Sequence, residues 1–175
     1  MSDIDPEAFA RLAREVRILT DIEAIKRVRY AYCRCMDTAQ FDEFRELLTP
    51  EFSCRYIGAS YEFVANGRDE FVQMIRESFN TKVGATHQLH HPEIDILDET
   101  HAKGRWYLQD VVYKYLTNEL INGTLIYDDR YEKRTNGWKL AHSEYYRVIE
   151  VVEFPPRPPR FTGRYLEEKG YRLPE

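Results

Sequence analysis

The run Gly104-Arg105-Trp106-Tyr107-Leu108-Gln109-Asp110-Val111-Val112-Tyr113 decides the fold class of this chain. It reads as a long β-strand, and along a strand successive side chains point to opposite faces. Large side chains fall on both faces: Trp106, Leu108 and Val112 on one, Tyr107, Val111 and Tyr113 on the other. A strand of this kind belongs to a sheet that is covered on both sides. We therefore expect helices or a cavity against one face and a partner subunit against the other.

The chain before this run shows the three- and four-residue apolar spacing of helices. Apolar residues recur loosely over residues 6–19, and Thr20-Asp21-Ile22-Glu23 has the pattern of a capping box that would start a second helix. That second helix should bury one face and end near Asp37. A short helix is predicted at residues 41–48, a strand at residues 52–57 and a further helix at residues 69–79.

Strands account for most of the remaining chain. They are predicted at residues 86–96, 102–116, 120–133 and 138–152, with a hairpin turn at Asn136-Gly137. In the strand at residues 86–96 the alternation of apolar side chains changes phase around Pro92, which predicts a bulge there. Helices followed by long strands predict an α+β fold, with N-terminal helices packed on a curved, mostly antiparallel sheet. We expect one α+β domain over residues 1–153 and a proline-rich tail over residues 154–175, either docked or disordered.

Composition narrows the class of protein. The net charge is −5 and the sequence pI is about 5.6, which argues against nucleic-acid partners and against binding to an anionic membrane. The acidic N-terminus lacks the basic and apolar regions of a signal peptide. The three cysteines have no zinc-type spacing, so we expect a reduced, cytoplasmic protein.

Two short stretches carry the chemistry. Tyr32-Cys33-Arg34-Cys35-Met36-Asp37 places a tyrosine and a carboxylate at the end of an amphipathic helix, and Thr86-His87 places a histidine on a strand about fifty residues later. An imidazole accepts protons near neutral pH, and a carboxylate partner fixes its tautomer. Together they predict an enzyme that removes a proton with a His–Asp pair and needs no metal or other cofactor.

The chain resembles the SnoaL-like branch of the nuclear transport factor 2-like superfamily, and within it the bacterial bile-acid 7-alpha-dehydratase family. The resemblance covers about residues 20–150 and is carried by Asp21-Ile22-Glu23-Ala24-Ile25-Lys26, Tyr32 to Asp37, Pro92-Glu93-Ile94, Gly104 to Leu108, Ile121-Asn122-Gly123 and Tyr131-Glu132-Lys133. It implies a cone-shaped, cystatin-like fold around a pocket, and a homotrimer. It also implies a dehydratase-type lyase that acts on a hydrophobic cyclic substrate such as a steroid or bile acid.

The same resemblance implies roles for particular residues. His87, Asp37 and Tyr32 match the family's catalytic groups, and Tyr56 and Arg147 match further pocket residues. The family's Gly-His-Thr-Pro stretch reads Leu89-His90-His91-Pro92 here, which adds His90 as a candidate substrate contact, and Glu144 replaces a glycine. These departures bear on the shape of the pocket and on the bile-acid substrate.

Other interpretations stay open at this stage. Asp37 could make a local turn or pair with Arg34, His87 could be an ordinary strand histidine, and Arg147 could belong to an interface ion pair. A metal cluster of His87, His90 and His91 is disfavoured because neighbouring strand residues point to opposite faces. The alternative functions are an isomerase or dehydrohalogenase that uses the same pocket, and a ligand-binding module without catalysis.

Overall fold

The computed structural model describes residues 5–58 and 61–174, so residues 1–4 of the predicted domain and residue 175 of the predicted tail lie outside it. Its elements in chain order are α1 Pro6–Asp37, α2 Phe41–Glu46, β1 Leu48–Ile57, β2 Glu62–Asn66, α3 Arg68–Ser78, β3 Val83–Ile96, β4 His101–Lys114, β5 Glu119–Arg134, β6 Gly137–Glu153 and α4 Tyr165–Lys169. The strands form one curved sheet in the order β2-β1-β6-β5-β4-β3, which confirms the predicted α+β class.

Residues 6–37 form one helix of 32 residues, so the predicted helix start at Thr20 is wrong. The side chain of Asp5 accepts a hydrogen bond from the Glu7 amide and caps this helix, and Pro6 occupies its first turn. No glycine or proline interrupts residues 7–37, and the Thr20 hydroxyl donates to the carbonyl of Val16 inside the helix. The capping-box sequence therefore stays helical, since nothing breaks the hydrogen-bond ladder there.

Strand pairing is antiparallel throughout, except that β1 lies parallel to β6. The bulge predicted near Pro92 is confirmed, because the register between β3 and β4 shifts between His90 and Glu93. The hairpin at Asn136-Gly137 is also confirmed, with Gly137 at a φ of 105°. None of the described helices has the length and apolar content needed to cross a bilayer.

The first strand and its edge partner differ from the predictions. The strand begins at Leu48 rather than at residue 52, and α2 ends at Glu46, because the Leu48 backbone already pairs with Leu140 of β6. The edge strand β2 was not predicted. It pairs with β1 and is tied to it by an ion pair between Arg55 and Glu62 at 2.7 Å.

The main core lies between the helices and the concave face of the sheet. It is rich in aromatic rings, and Phe71 of α3 lies 4.7 Å from the ring of Phe52 and 5.8 Å from that of Phe44. Trp106 and Leu108, from one face of the fold-deciding strand, are completely buried in it. This packing fixes the helices over one end of the curved sheet and leaves a cavity between them.

The C-terminal segment packs on the sheet beside the start of β3. Leu166 of α4 is buried, and the Phe161 ring lies 4.7 Å from the ring of Tyr113. The backbone of Tyr171 forms a parallel bridge with Asn80, and its carbonyl accepts from the Thr81 amide at 3.0 Å. Residues of this segment line a shallow concavity together with Asp37, so the tail lies beside the end of α1.

Candidate active site

The structure brings Asp37 and His87 together in a two-point contact. One carboxylate oxygen of Asp37 lies 2.6 Å from Nδ1 of His87, and the other accepts from the His87 backbone N–H at 2.9 Å. The side chain of His87 is 5% exposed and that of Asp37 is 21% exposed. Because a carboxylate accepts hydrogen bonds, Nδ1 carries the proton and Nε2 keeps its lone pair. In this arrangement Nε2 is the ring nitrogen that Asp37 leaves free.

Local structure explains the position of Asp37. It is the last residue of α1, and Thr38 caps the helix by donating both its amide and its hydroxyl to the Arg34 carbonyl. The side chain of Arg34 binds Glu43 at 2.5 and 3.1 Å, so it does not neutralise Asp37. The carboxylate is thereby free to point from the helix end toward the backbone of β3.

Two tyrosine hydroxyls meet in the core beside the cavity described below. The hydroxyls of Tyr32 and Tyr56 lie 3.0 Å apart, and both side chains are buried. Burial raises the pKa of each phenol well above its ordinary value. Both are therefore protonated throughout the physiological range. One hydroxyl donates to the other, and the second keeps a proton that it can donate to an oxygen in the cavity.

A cavity of about 420 Å³ joins these groups. His87, Tyr32, Tyr56 and Arg147 all line it, so four of the six predicted site residues share one space and Asp37 stands directly behind His87. Its walls are mostly apolar and aromatic: Met36, Phe63, Ile75, Phe79, Val83, Val112, Ile121, Leu125, Tyr127, Tyr145 and Val152. Its size and lining suit a compact hydrophobic ring compound.

His90 does not join this group. It is exposed, it does not line the cavity, and its strand position has the opposite parity to His87. Among the described residues, no three His, Cys, Asp or Glu side chains are grouped as a metal site would require. The residues that line the cavity thus offer one imidazole, phenols and paired charges.

Sequence reasoning missed Asp110 and Glu150, which bind Arg147 inside the cavity. Asp110 accepts from Nη1 and Nη2 of Arg147 at 2.6 and 2.8 Å, and a Glu150 oxygen lies 2.9 Å from Nε. Burial opposes the charge on Arg147, but Asp110 holds its pKa above the ordinary value. The available signal was parity, because Asp110 falls on the same strand face as the buried Trp106 and Leu108.

A second buried ion pair supports the tyrosines. Arg29 of α1 lies 4.3 Å from the Tyr32 ring centroid and 3.7 Å from that of Tyr127, and its guanidinium contacts Asp129 at 3.1 Å. Hydroxyls of Tyr131 and Ser143 also donate to Asp129, at 2.6 and 2.7 Å. Burial raises the pKa of Asp129, and Arg29 with both hydroxyls opposes that shift. With these donors in place the carboxylate is satisfied, and Arg29 holds the two rings at the cavity floor.

Comparison with known proteins places this geometry in context. A family model described as a SnoaL-like domain matches residues 17–144. A Novosphingobium aromaticivorans structure provisionally assigned as a scytalone dehydratase has a TM-score of 0.72 at 22% identity, covering 86% of this chain and 98% of that one. A hexachlorocyclohexane dehydrochlorinase, LinA type 2, has a TM-score of 0.72 at 11% identity, covering 85% and 99%. An NTF2-like protein of N. aromaticivorans with a cystatin-like fold has a TM-score of 0.63 at 19% identity, covering 85% and 92%.

Proposed function

This chain belongs to the SnoaL-like domain family, and we propose that it is a cofactor-independent lyase that eliminates water from a hydrophobic cyclic substrate. The observation that carries the proposal is the two-point contact of Asp37 with His87, which leaves Nε2 of a cavity-lining imidazole free to accept a proton. A positioned histidine base typically contributes about 10²–10⁴-fold to a rate.

In the proposed reaction, Nε2 of His87 takes a proton from an activated ring carbon. The C–H electron pair forms the new double bond while Asp37 stabilises the imidazolium. The proton is then available to the departing hydroxyl, which leaves as water and returns the enzyme to its starting protonation state. Tyr32 or Tyr56 donates a hydrogen bond to that hydroxyl or to a developing enolate oxygen, a contribution of about 2.7–4 kcal/mol when such a donor is preorganised.

The substrate we propose is a steroid-like or bile-acid-like ring system with a carbonyl or enone that acidifies the C–H bond. A mostly apolar cavity of about 420 Å³ with phenol donors supports this class. A second concavity, of about 250 Å³, is lined mostly by charged side chains, including Lys103, Arg105 and Asp128. It suits a hydrophobic ring poorly.

Dehydrohalogenation is the second candidate, favoured by the similarity to a hexachlorocyclohexane dehydrochlorinase. It uses the same base and expels chloride in place of water. Isomerisation would also begin at His87, but the product would keep its hydroxyl. If the protein binds such a compound but does not convert it, it is a ligand-binding module without catalysis.

Product mass separates these functions. We would incubate wild type and His87→Ala with hydroxylated 3-oxo-4-ene steroids, as free acids, amides and thioesters, and with chlorinated cyclohexanes. We expect water loss with wild type and almost none with His87→Ala. Chloride release alone would favour dehydrohalogenation, and an unchanged mass with a shifted absorbance would favour isomerisation. No conversion of any compound would contradict the proposed lyase.

The expected homotrimer is likewise a proposal. Strand β6 carries apolar side chains that are about half exposed, Tyr146, Val148 and Ile149. Exposed apolar surface of this kind is typical of a subunit interface. Light scattering on the purified protein tests it, and a monomer at micromolar concentration would contradict it.

A further inference from the structure

One wall of the cavity carries a compact charged group made of Asp110, Arg147 and Glu150. Their side chains are only 6%, 9% and 7% exposed, so water screens them little. Asp110 accepts hydrogen bonds from Nη1 and Nη2 of the guanidinium, and a carboxylate oxygen of Glu150 forms an ion pair with Nε. Two carboxylates on one cation give this group a net charge of −1.

Sheet register builds the group. Asp110 of β4, Gly123 of β5 and Glu150 of β6 form one row across three strands. A Cβ on Gly123 would lie 2.7 Å from the Ile149 carbonyl oxygen and 3.0 Å from Nη1 of Arg147. Glycine at this position therefore leaves the space through which the guanidinium reaches Asp110. The same register places Asp110 directly opposite His87, so the charged group and the base share one end of the cavity.

The two carboxylates are not equally satisfied. Asp110 accepts two well-formed hydrogen bonds, whereas the contact between Glu150 and Nε lacks hydrogen-bond geometry. Glu150 lines the cavity, and among the described residues no side chain or backbone group donates a hydrogen bond to it. A buried carboxylate with free lone pairs attracts a hydrogen-bond donor and repels another anion.

The rest of the lining does not offset this charge. Apart from the charged group, the lining carries Lys114, Glu119 and Glu62, and Glu62 is exposed and paired with Arg55. Lys114 is already paired with Glu119 at 2.9 Å. Lys114 and Arg147 are thus both engaged by protein carboxylates, and neither is free to hold a substrate carboxylate.

From this geometry we infer that the cavity selects an uncharged substrate that carries a hydrogen-bond donor, which Glu150 receives, and that it excludes carboxylates and phosphates. This inference rests on the proposed function, because it names the substrate class of the same cavity. Arg147 is accordingly a positioning residue that holds Asp110 and Glu150 in place. It does not anchor a substrate carboxylate.

Two probes that differ only in charge test the inference: one hydroxylated 3-oxo-4-ene steroid as its free acid and as its methyl amide. Their binding is measured by titration calorimetry on His87→Ala, so that no turnover takes place. The amide is expected to bind at least about tenfold more tightly than the acid. Glu150→Gln and Asp110→Asn should each narrow that ratio by strengthening binding of the acid. The control is Glu62→Gln, because Glu62 lines the same cavity but is 53% exposed and paired with Arg55, so the ratio should stay as it is.

If His87→Ala without a further substitution binds the free acid as tightly as the amide, or more tightly, the inference is overturned. The proposed lyase would still stand, since a ring compound would occupy the cavity. A ratio that Glu62→Gln changes as much as Glu150→Gln would also overturn it, because the charged group would then not be the source of selection. Failure of both probes to bind would contradict the steroid-like substrate of the proposed function, and this inference with it.

Discussion

Replacing Asp37 by asparagine gives a sharp test, because both carboxylate oxygens of Asp37 accept hydrogen bonds from His87. One donor is the backbone N–H, which can only donate, so the single carbonyl oxygen of asparagine should turn toward it. The amide NH₂ then faces Nδ1 at the position where the carboxylate oxygen lies 2.6 Å away. Since the NH₂ group donates, Nδ1 must become the acceptor and the ring proton must move to Nε2. The substitution keeps the ring in place but removes its basic lone pair from the cavity.

The size of the effect follows from that change. A wrong tautomer in an otherwise intact catalytic pair costs about 10⁴-fold in kcat, or roughly 5 kcal/mol of barrier. Folding stability should change far less, because both hydrogen bonds survive in neutral form, a loss of about 1 kcal/mol. For a chain of this size that lowers Tm by about 2–4 °C.

The assay is turnover of a confirmed substrate beside a thermal melt. Asp42→Asn is the matched control, because Asp42 is an exposed carboxylate on the neighbouring helix α2. The double variant of Asp37→Asn with His87→Ala should be no slower than His87→Ala alone, since both changes disable one base. Turnover of Asp37→Asn within tenfold of wild type, or a double variant much slower than His87→Ala, would refute the tautomer argument.

Three further results are expected. Asp129→Asn leaves the Arg29 cation buried without its counter-charge, so urea denaturation should show a loss of about 3–5 kcal/mol, and a loss under 1 kcal/mol would contradict the buried pair. Leu166→Ala should cost about 2–5 kcal/mol if the tail packs as described, whereas an unchanged Tm would mean that it does not. Burial raises the pKa of the three thiols, Cys33, Cys35 and Cys54, to about 12. Iodoacetamide should therefore modify them only after unfolding, and labelling of the native protein would contradict this.

The parts of the site that follow from sequence are those that single elements position. Asp37 could be placed because it ends an amphipathic helix, and His87 because its strand is recognisable from composition. The bulge at Pro92 and the turn at Gly137 follow from the backbone limits of proline and glycine. No local pattern joins Asp37 to His87, so their pairing was predicted from the two stretches taken together and from the resemblance to a family.

The remaining features depend on tertiary structure. The row of Asp110, Gly123 and Glu150 exists only once three strands adopt one register, and a shift of one residue would turn each side chain to the other face. The edge strand β2 is short and gains its stability from β1, so its own sequence signals it weakly. The predicted helix start at Thr20 was wrong for a similar reason. A capping sequence starts a helix only where the residues before it are not helical.

Removal of the substrate proton by His87 can be tested by comparing three rates. We would measure the rate of water loss from a confirmed substrate for wild type, His87→Ala and His101→Ala. His101 is the matched control because it also pairs with an aspartate, Asp98, at 3.1 Å, but its side chain is 56% exposed on the surface. If His87 is the base, His87→Ala should be about 10²–10⁴-fold slower and His101→Ala should keep the wild-type rate. A wild-type rate in His87→Ala would contradict this role.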